Sequence, residues 1–188
     1  MIKEVLTILK NKLNDSVNGL KDGQETGEIA IVDNIAKHDD DTSGLDNKVV
    51  ITLLSVEEES TMKNTSRYNK VVVDKVPLRY DLEGAPAYLN LYVMIAANRS
   101  TYDKSLSNIS KVIEIFQTNN VLEYNDFKFR IELHSIPFEQ LSYVWGLLGG
   151  KVMPSALYKI SVIKIAAEKD PVKVELIDEV NIKSIKVD

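Results

Sequence analysis

A chain of 188 residues, 44% hydrophobic and 27% charged, is long enough to bury one sizeable core and is globular in composition. Its net charge of −5, with no Lys/Arg cluster interleaved with aromatics, excludes a surface built for duplex nucleic acid. The lack of cysteine excludes thiol catalysis, disulfide staples and Cys-based zinc sites, and is neutral about compartment.

At the N-terminus Ile2, Val5, Leu6, Leu9, Leu13, Val17 and Leu20 recur at three- and four-residue spacing. That spacing predicts an amphipathic helix ending near Gly19 or Gly23. Glu4, Lys10, Lys12 and Asp15 interrupt each apolar run. Neither the roughly 7–15-residue centre of a signal peptide nor the about 20 apolar residues of a membrane helix is present. Cytoplasmic assembly without direct membrane insertion is the expectation. Residues 28–35 (EIAIVDNI) alternate and predict a strand, and 37–47 (KHDDDTSGLDN) read as a polar loop.

Residues 49–59 (VVITLLSVEEE) are apolar enough for a central strand, which runs into a polar link, ESTMKNTSRYNK. In VVVDKVPLRYDL, Pro77 and its restriction on the preceding residue argue against a central strand. YLNLYVMIAAN (88–98) is the most strand-like run. Tyr102 to Asn119 predicts a helix with Leu106, Ile109, Val112, Ile113 and Phe116 on one face. Residues 127–136 set Phe127, Phe129, Ile131 and Leu133 against Lys128, Arg130 and Glu132, as a half-buried strand would. FEQLSYVWGLLGG is a short helix stopped by Gly149–Gly150, and 155–167 is a long strand. Beyond Asp170–Pro171 the chain is β-prone and charged, with no helix to cover it. The prediction is an α+β single domain over residues 1–170, a mixed, mainly antiparallel sheet flanked by helices, with an extended C-terminal β arm over 171–188.

Candidate chemistry is sparse. His38-Asp39-Asp40-Asp41-Thr42 offers oxygen ligands in a row, but without the alternating spacing and distal Glu of a calcium loop. Seven acids between residues 39 and 59, against Lys37 and Lys48, carry a charge equal to that of the whole chain, so a solvated acidic loop is the reading. His134 and Ser135 are adjacent, and adjacent strand residues point to opposite faces, so they form no relay. Gly149–Gly150–Lys151 lacks the spacing of a phosphate loop and closes a helix rather than opening one. No catalytic residue, metal or cofactor is expected. Tyr143, Trp145, Leu147 and Leu148 read as core, as a subunit-interface anchor, or as a small-ligand patch. Val172, Val174, Leu176, Val180, Ile182, Ile185 and Val187 are too many apolar residues for an idle terminus and suit an arm adding a strand to another chain's sheet.

Three blocks, in order, carry a family resemblance. VVITLLSVEEESTMKN is a strand ending in Glu residues with an Asn a few positions on. PAYLNLYVMIAANRSTYDKSLSNISKVIEIFQTNNVL is a strand, a small-residue turn and a helix with a Phe-Gln end. FRIELHSIPFEQLSYVWGLLGGKVMPSALYKISVIKI carries Leu141-x-x-x-Trp145-Gly146-x-Leu148-Gly149-Gly150-Lys151 and Pro154-Ser155-x-x-Tyr158-Lys159. Over about residues 2–167 the chain resembles the cap proteins, or tail terminators, of phage-tail-like contractile injection systems. Pro137 departs from the hydroxyl N-cap this pattern tends to carry. Some relatives continue into a further C-terminal domain, whose function is not carried over.

The resemblance implies a tail-terminator-like fold and a structural role. A homo-hexameric ring would sit on the inner tube's end remote from the baseplate, stop its growth, close its lumen and engage the last sheath layer. The implied partners are further copies, the tube protein and the sheath protein, within a particle that is released or retained. Ring and tube contacts are expected among Tyr143, Trp145, Leu147, Lys151 and Met153, where the Gly-Gly-Lys turn could approach a neighbour closely. The arm after Pro171 is the expected sheath contact. A baseplate or sheath-associated adaptor of the same kind of machine is the alternative, and a small-ligand-binding module the alternative from another class.

Overall fold

In the computed structural model, residues 1–21, 27–37, 44–62, 68–73, 76–82, 87–124, 127–165 and 172–175 are described. In chain order the helices are α1 (Ile2–Leu13), α2 (Tyr102–Thr118) and α3 (Phe138–Leu147). The strands are β1 (Ala30–Val32), β2 (Lys48–Glu58), β3 (Tyr68–Val73), β4 (Val76–Leu82), β5 (Ala87–Asn98), β6 (Val121–Tyr124), β7 (Phe127–Leu133), β8 (Ser155–Ile165) and β9 (Val172–Glu175). Six of them form one sheet in the order β1-β2-β5-β8-β7-β6, and β3-β4-β9 form a second, smaller one. β1 runs parallel to β2 and the other pairs are antiparallel, so the large sheet is mixed.

Alternation along β2 and β5 builds two cores. Val49 and Ile51, with Leu91, Val93, Ile95 and Ala97, face the layer formed by α1 and α2. Val50, Met94 and Ala96 face the opposite way and pack with Trp145 of α3, Ile35 and Leu45. The sheet is therefore covered on both faces, by two helices on one and by the short α3 on the other. This is the α+β architecture expected, with a strand pattern rich in β-branched residues where both faces are buried.

Several elements differ from expectation for local reasons. α1 ends at Leu13, well short of Gly19. The Asn14 amide donates to the Ala30 carbonyl at 2.8 Å, and its oxygen accepts the N–H groups of Ile29 and Ala30 at 2.9 Å. Asp15 then accepts the N–H groups of Val17 and Asn18, offering the backbone a turn in place of another helical one. Leu20 still reaches the core, whereas Val17 is 84% exposed. α2 begins where Thr101 accepts the Lys104 N–H. Its buried face is rotated from the expected one, with Ser105, Asn108 and Ile115 inward and Leu106 and Ile113 outward.

The strand expected over 28–35 is limited to β1. After Val32 the chain turns so that Thr52 donates to the Asp33 carbonyl and accepts the Ile35 N–H, which starts a single 3-10 turn at Ile35–Lys37. β7 stops at Leu133, which is 52% exposed instead of inward. The polar link ends early, since Tyr68 opens β3, and β6 was not expected at all. Pro77 lies inside β4 at the point where the β3–β4 register shifts, between Val71 and Val72. A ladder irregularity tolerates a missing donor, which reconciles the proline with the strand.

β1 pairs with β2 only at Val49, Val50 and Ile51 of its eleven residues, so the rest of that edge has no strand partner among the described residues. β9 pairs antiparallel with β4, from Val172 opposite Leu82 to Glu175 opposite Arg79. The first residues of the expected arm thus lie on the smaller sheet of their own chain; Leu176, Val180, Ile182, Ile185 and Val187 lie outside the described residues.

Candidate functional site

α3 is short because both ends are set by backbone chemistry. Pro137 caps it through its carbonyl, which accepts the Leu141 N–H at 3.1 Å, without any side-chain cap. Glu139 in the first turn complements the helix dipole. At the other end the Gly150 N–H returns to the Trp145 carbonyl at 2.7 Å. Gly149 and Gly150 have φ of 103° and 77°, the left-handed region where a side chain would be strained. The expected glycine stop is there, as a six-to-one hydrogen-bonded turn.

The helix is apolar on two sides. Trp145 is 2% exposed and fills the second core, flanked by the half-buried Leu141, Val144 and Leu148. The outer side carries Tyr143, 75% exposed, and Leu147, 86% exposed. Gly146 lies between them with no heavy atom within 4 Å of where a Cβ would stand. Phe138 and Val152 are likewise exposed, at 81% and 72%. Among the expected contacts, Tyr143, Leu147 and Lys151 are on the surface and Met153 is half-buried against the second core. Of the readings open for Trp145, the single chain places its indole in the second core, where it holds α3 to its sheet. Phe138 and Val152 were not among the expected contacts, although Phe138 opens the helix as an exposed aromatic.

A groove of about 530 Å³ lies between the last turns of α3 (Val144, Leu147, Leu148) and Ile51–Leu54 of β2, bordered by Val32, Asp33 and Asn34. Its lining is largely apolar. A second hollow, about 310 Å³, lies on the other side of Leu54 and includes Glu57, Tyr92, His134 and Gln140. There the Tyr92 and His134 rings stand 5.0 Å apart and tilted by 60°. Burial first, then the hydrogen bond and charge of Glu57, push the Tyr92 phenol above its ordinary range and keep it a donor. His134 therefore meets an aromatic neighbour and a neutral phenol, not a nucleophile with a base beside it.

Glu59, at the end of β2, is a structural carboxylate. It accepts from the Asn90 amide at 2.8 Å, the Thr61 hydroxyl at 2.7 Å and the Thr61 N–H at 3.2 Å, with the Lys159 ammonium 4.0 Å away. Those bonds, led by Asn90, hold it down to about 2. Among the described residues no group of three His, Asp or Glu is placed to hold a metal ion. The acidic loop of His38, Asp39, Asp40 and Asp41 lies outside them. No helix among the described residues is long and apolar enough to cross a membrane.

Comparison with known proteins gives a consistent result. The family model of the Pvc16 N-terminal domain matches residues 4–179. Among solved structures, the sheath/tube terminator of the extracellular contractile injection system PVC, in its extended state, is similar with a TM-score of 0.66 and 12% identity, over 100% of this chain and 63% of that one. The tube-terminating cap of the anti-feeding prophage is similar with a TM-score of 0.59 and 12% identity, over 97% of this chain and 60% of that one. The chain spans about three fifths of the length of these solved relatives. No curated protein matches.

Proposed function

The chain belongs to the Pvc16 N-terminal domain family, and from that premise we propose that it is a structural cap of a contractile injection system. In this reading copies form a ring, a hexamer, that seats on the distal end of the inner tube, ends its growth, closes its lumen and anchors the last sheath layer. The role requires surfaces rather than a reaction, and no enzymatic activity is assigned to it. Assembly takes place in the cytoplasm, before the particle is released or retained.

One observation supports the reading most directly: the outer side of α3 carries Tyr143 and Leu147 largely exposed beside an open Gly146. Exposed aromatic and aliphatic side chains around a glycine permit close backbone approach by a second chain and supply apolar area once covered. A tube end stops growing when a subunit matches the terminal ring on one side and offers it nothing on the other. Tyr143, Leu147 and Lys151 form the ring or tube contact, with Met153 behind them. The arm from Val172 to Val187 is the sheath contact, and its first residues, Val172–Glu175, lie on the smaller sheet.

The test is electron microscopy of purified chain mixed with tubes. Rings seated at one end of each tube, and lost when Tyr143 and Leu147 are both changed to Ser, are the expected result. Deleting residues 176–188, which spares β9, should leave the ring and weaken sheath attachment. A folded chain that stays single, ignores tube ends and turns over a substrate overturns the reading.

A further inference from the structure

We infer that the hollow beside Leu54 is a binding site for an arginine side chain presented by another protein, its guanidinium held by Glu57 against the Tyr92–His134 ring pair. The site is a different surface from the outer side of α3, and it is complete within the single chain.

Strand alternation places these residues together. Met94 packs into the second core with Trp145 of α3, so Tyr92, two residues back along β5, turns to the same face of the sheet. In the β2–β5 register Ser55 lies opposite Tyr92 and Glu57 opposite Asn90, which makes Glu57 and Tyr92 diagonal neighbours on that face. His134 arrives from the end of β7, where its N–H donates to the Leu157 carbonyl at 2.8 Å. Its ring then stands 5.0 Å from that of Tyr92. Gln140 and Val144 of α3 close the remaining side.

The hollow has an apolar end, formed by Leu54, Ile136, Val144 and Leu157, and an anionic end at Glu57. Lys159 lies opposite both Tyr92 and Glu132, so all three share this face of the sheet. Glu59 has the Lys159 ammonium at 4.0 Å, and Glu132 has the Arg130 guanidinium at 3.5 Å. Glu57 forms no ion pair among the described residues; its partner there is the Tyr92 phenol. A neutral phenol orients the carboxylate without cancelling its charge.

A carboxylate beside aromatic rings and an apolar wall suits a cation on an aliphatic stem. One carboxylate is too few for a metal ion. A guanidinium fits better than an ammonium, because it is planar, less strongly hydrated, stacks on rings and offers a carboxylate two N–H groups at once. The two rings touch each other, so the guanidinium lies against the pair rather than between them, with its stem along Leu54 and Val144. About 310 Å³ is at the small end of the roughly 300–1,000 Å³ of ligand pockets and suits one side chain. Of this chain's own arginines, Arg99 donates to the Asn47 carbonyl and Arg130 is paired with Glu132. A basic partner is also the one that a chain of net charge −5 attracts.

The test is proton NMR of the single chain titrated with N-acetylarginine methylamide. His38 and His134 are the only histidines, so His134→Gln protein assigns the ring signals. A saturable movement of the His134 signals is expected, about tenfold weaker with the lysine counterpart and absent with the citrulline counterpart, which keeps the shape and lacks the charge. Glu57→Gln should abolish the response, while Glu114→Gln on α2 removes the same charge and leaves it intact. No saturable movement, an equal response to citrulline, or binding unchanged in Glu57→Gln overturns the inference. Equal or tighter binding of the lysine counterpart overturns the choice of arginine. Free arginine binding much more tightly than its capped form marks a small-molecule site and overturns the protein partner. Rings on tube ends from a chain that ignores the probe leave the cap reading standing without this site. Probe binding by a chain that ignores tube ends does the reverse.

Discussion

The two faces of the large sheet are covered by helices of opposite character. α1 shows solvent Lys3, Glu4 and Asn11, and most of α2's outer side is Asp103, Lys104, Ser107, Ser110, Glu114 and Gln117. α3 shows Phe138, Tyr143 and Leu147. A helix apolar on one side is satisfied by its own sheet; one apolar on two sides requires a second cover. The difference separates a face whose helices turn mostly polar side chains to solvent from one whose helix leaves Phe138, Tyr143 and Leu147 exposed.

That contrast is tested first at Trp145, on the inner side of α3. Trp145→Ala should cost about 3–5 kcal/mol in urea unfolding, since it empties the centre of the second core. A loss below about 1 kcal/mol with assembly abolished would erase the distinction between the two sides of α3. On the other face, Asn14→Ala leaves the Ile29 and Ala30 N–H groups without their partner. A loss of about 1–3 kcal/mol with ring formation untouched is expected.

A smaller effect appears only in acid. Glu59 is held at about 2 against 4.5 for the free side chain. Its stabilisation is complete above about pH 4.5 and is lost as pH falls toward about 2. Glu59→Gln should melt lower than the parent at pH 7 and lose less between those limits, read as melting temperature against pH. The smallest change in stability, within about 0.5 kcal/mol, belongs to Tyr143→Ser with Leu147→Ser, which are exposed in the monomer. The same pair should abolish seating on tube ends, while Lys104→Ser and Glu114→Ser on α2 leave both properties unchanged.

Much of this was legible in the residues. The long strands β2, β5 and β8, the helix α2 and the glycine stop of α3 follow from periodicity and turn chemistry that tertiary contacts reinforce. The end of α1 was not legible, because Asn14 is held by Ile29 and Ala30, fifteen and sixteen residues away in the chain. The tilt of α2 was missed for a related reason: Ser105 accepts the Arg99 N–H and turns inward, which moves Leu106 out. β3 and β4 were obscured by Pro77, whose place at a register shift is a property of the pair and not of either strand. In the candidate site, exposed Tyr143 and buried Trp145 sit two residues apart on one helix. Their types alone do not say which faces the sheet.

By itself the sequence determined that this chain is a cysteine-free α+β domain with a helix stopped by paired glycines and no catalytic constellation in its motifs. Those properties depend on residue type and on spacing within a few turns or a few strand residues. Only the tertiary structure decided that Trp145 is core, that Leu147 is not, and that β1 pairs with β2 at Val49, Val50 and Ile51 alone. Burial and edge pairing are relations between segments far apart in the chain, and local pattern does not carry that information.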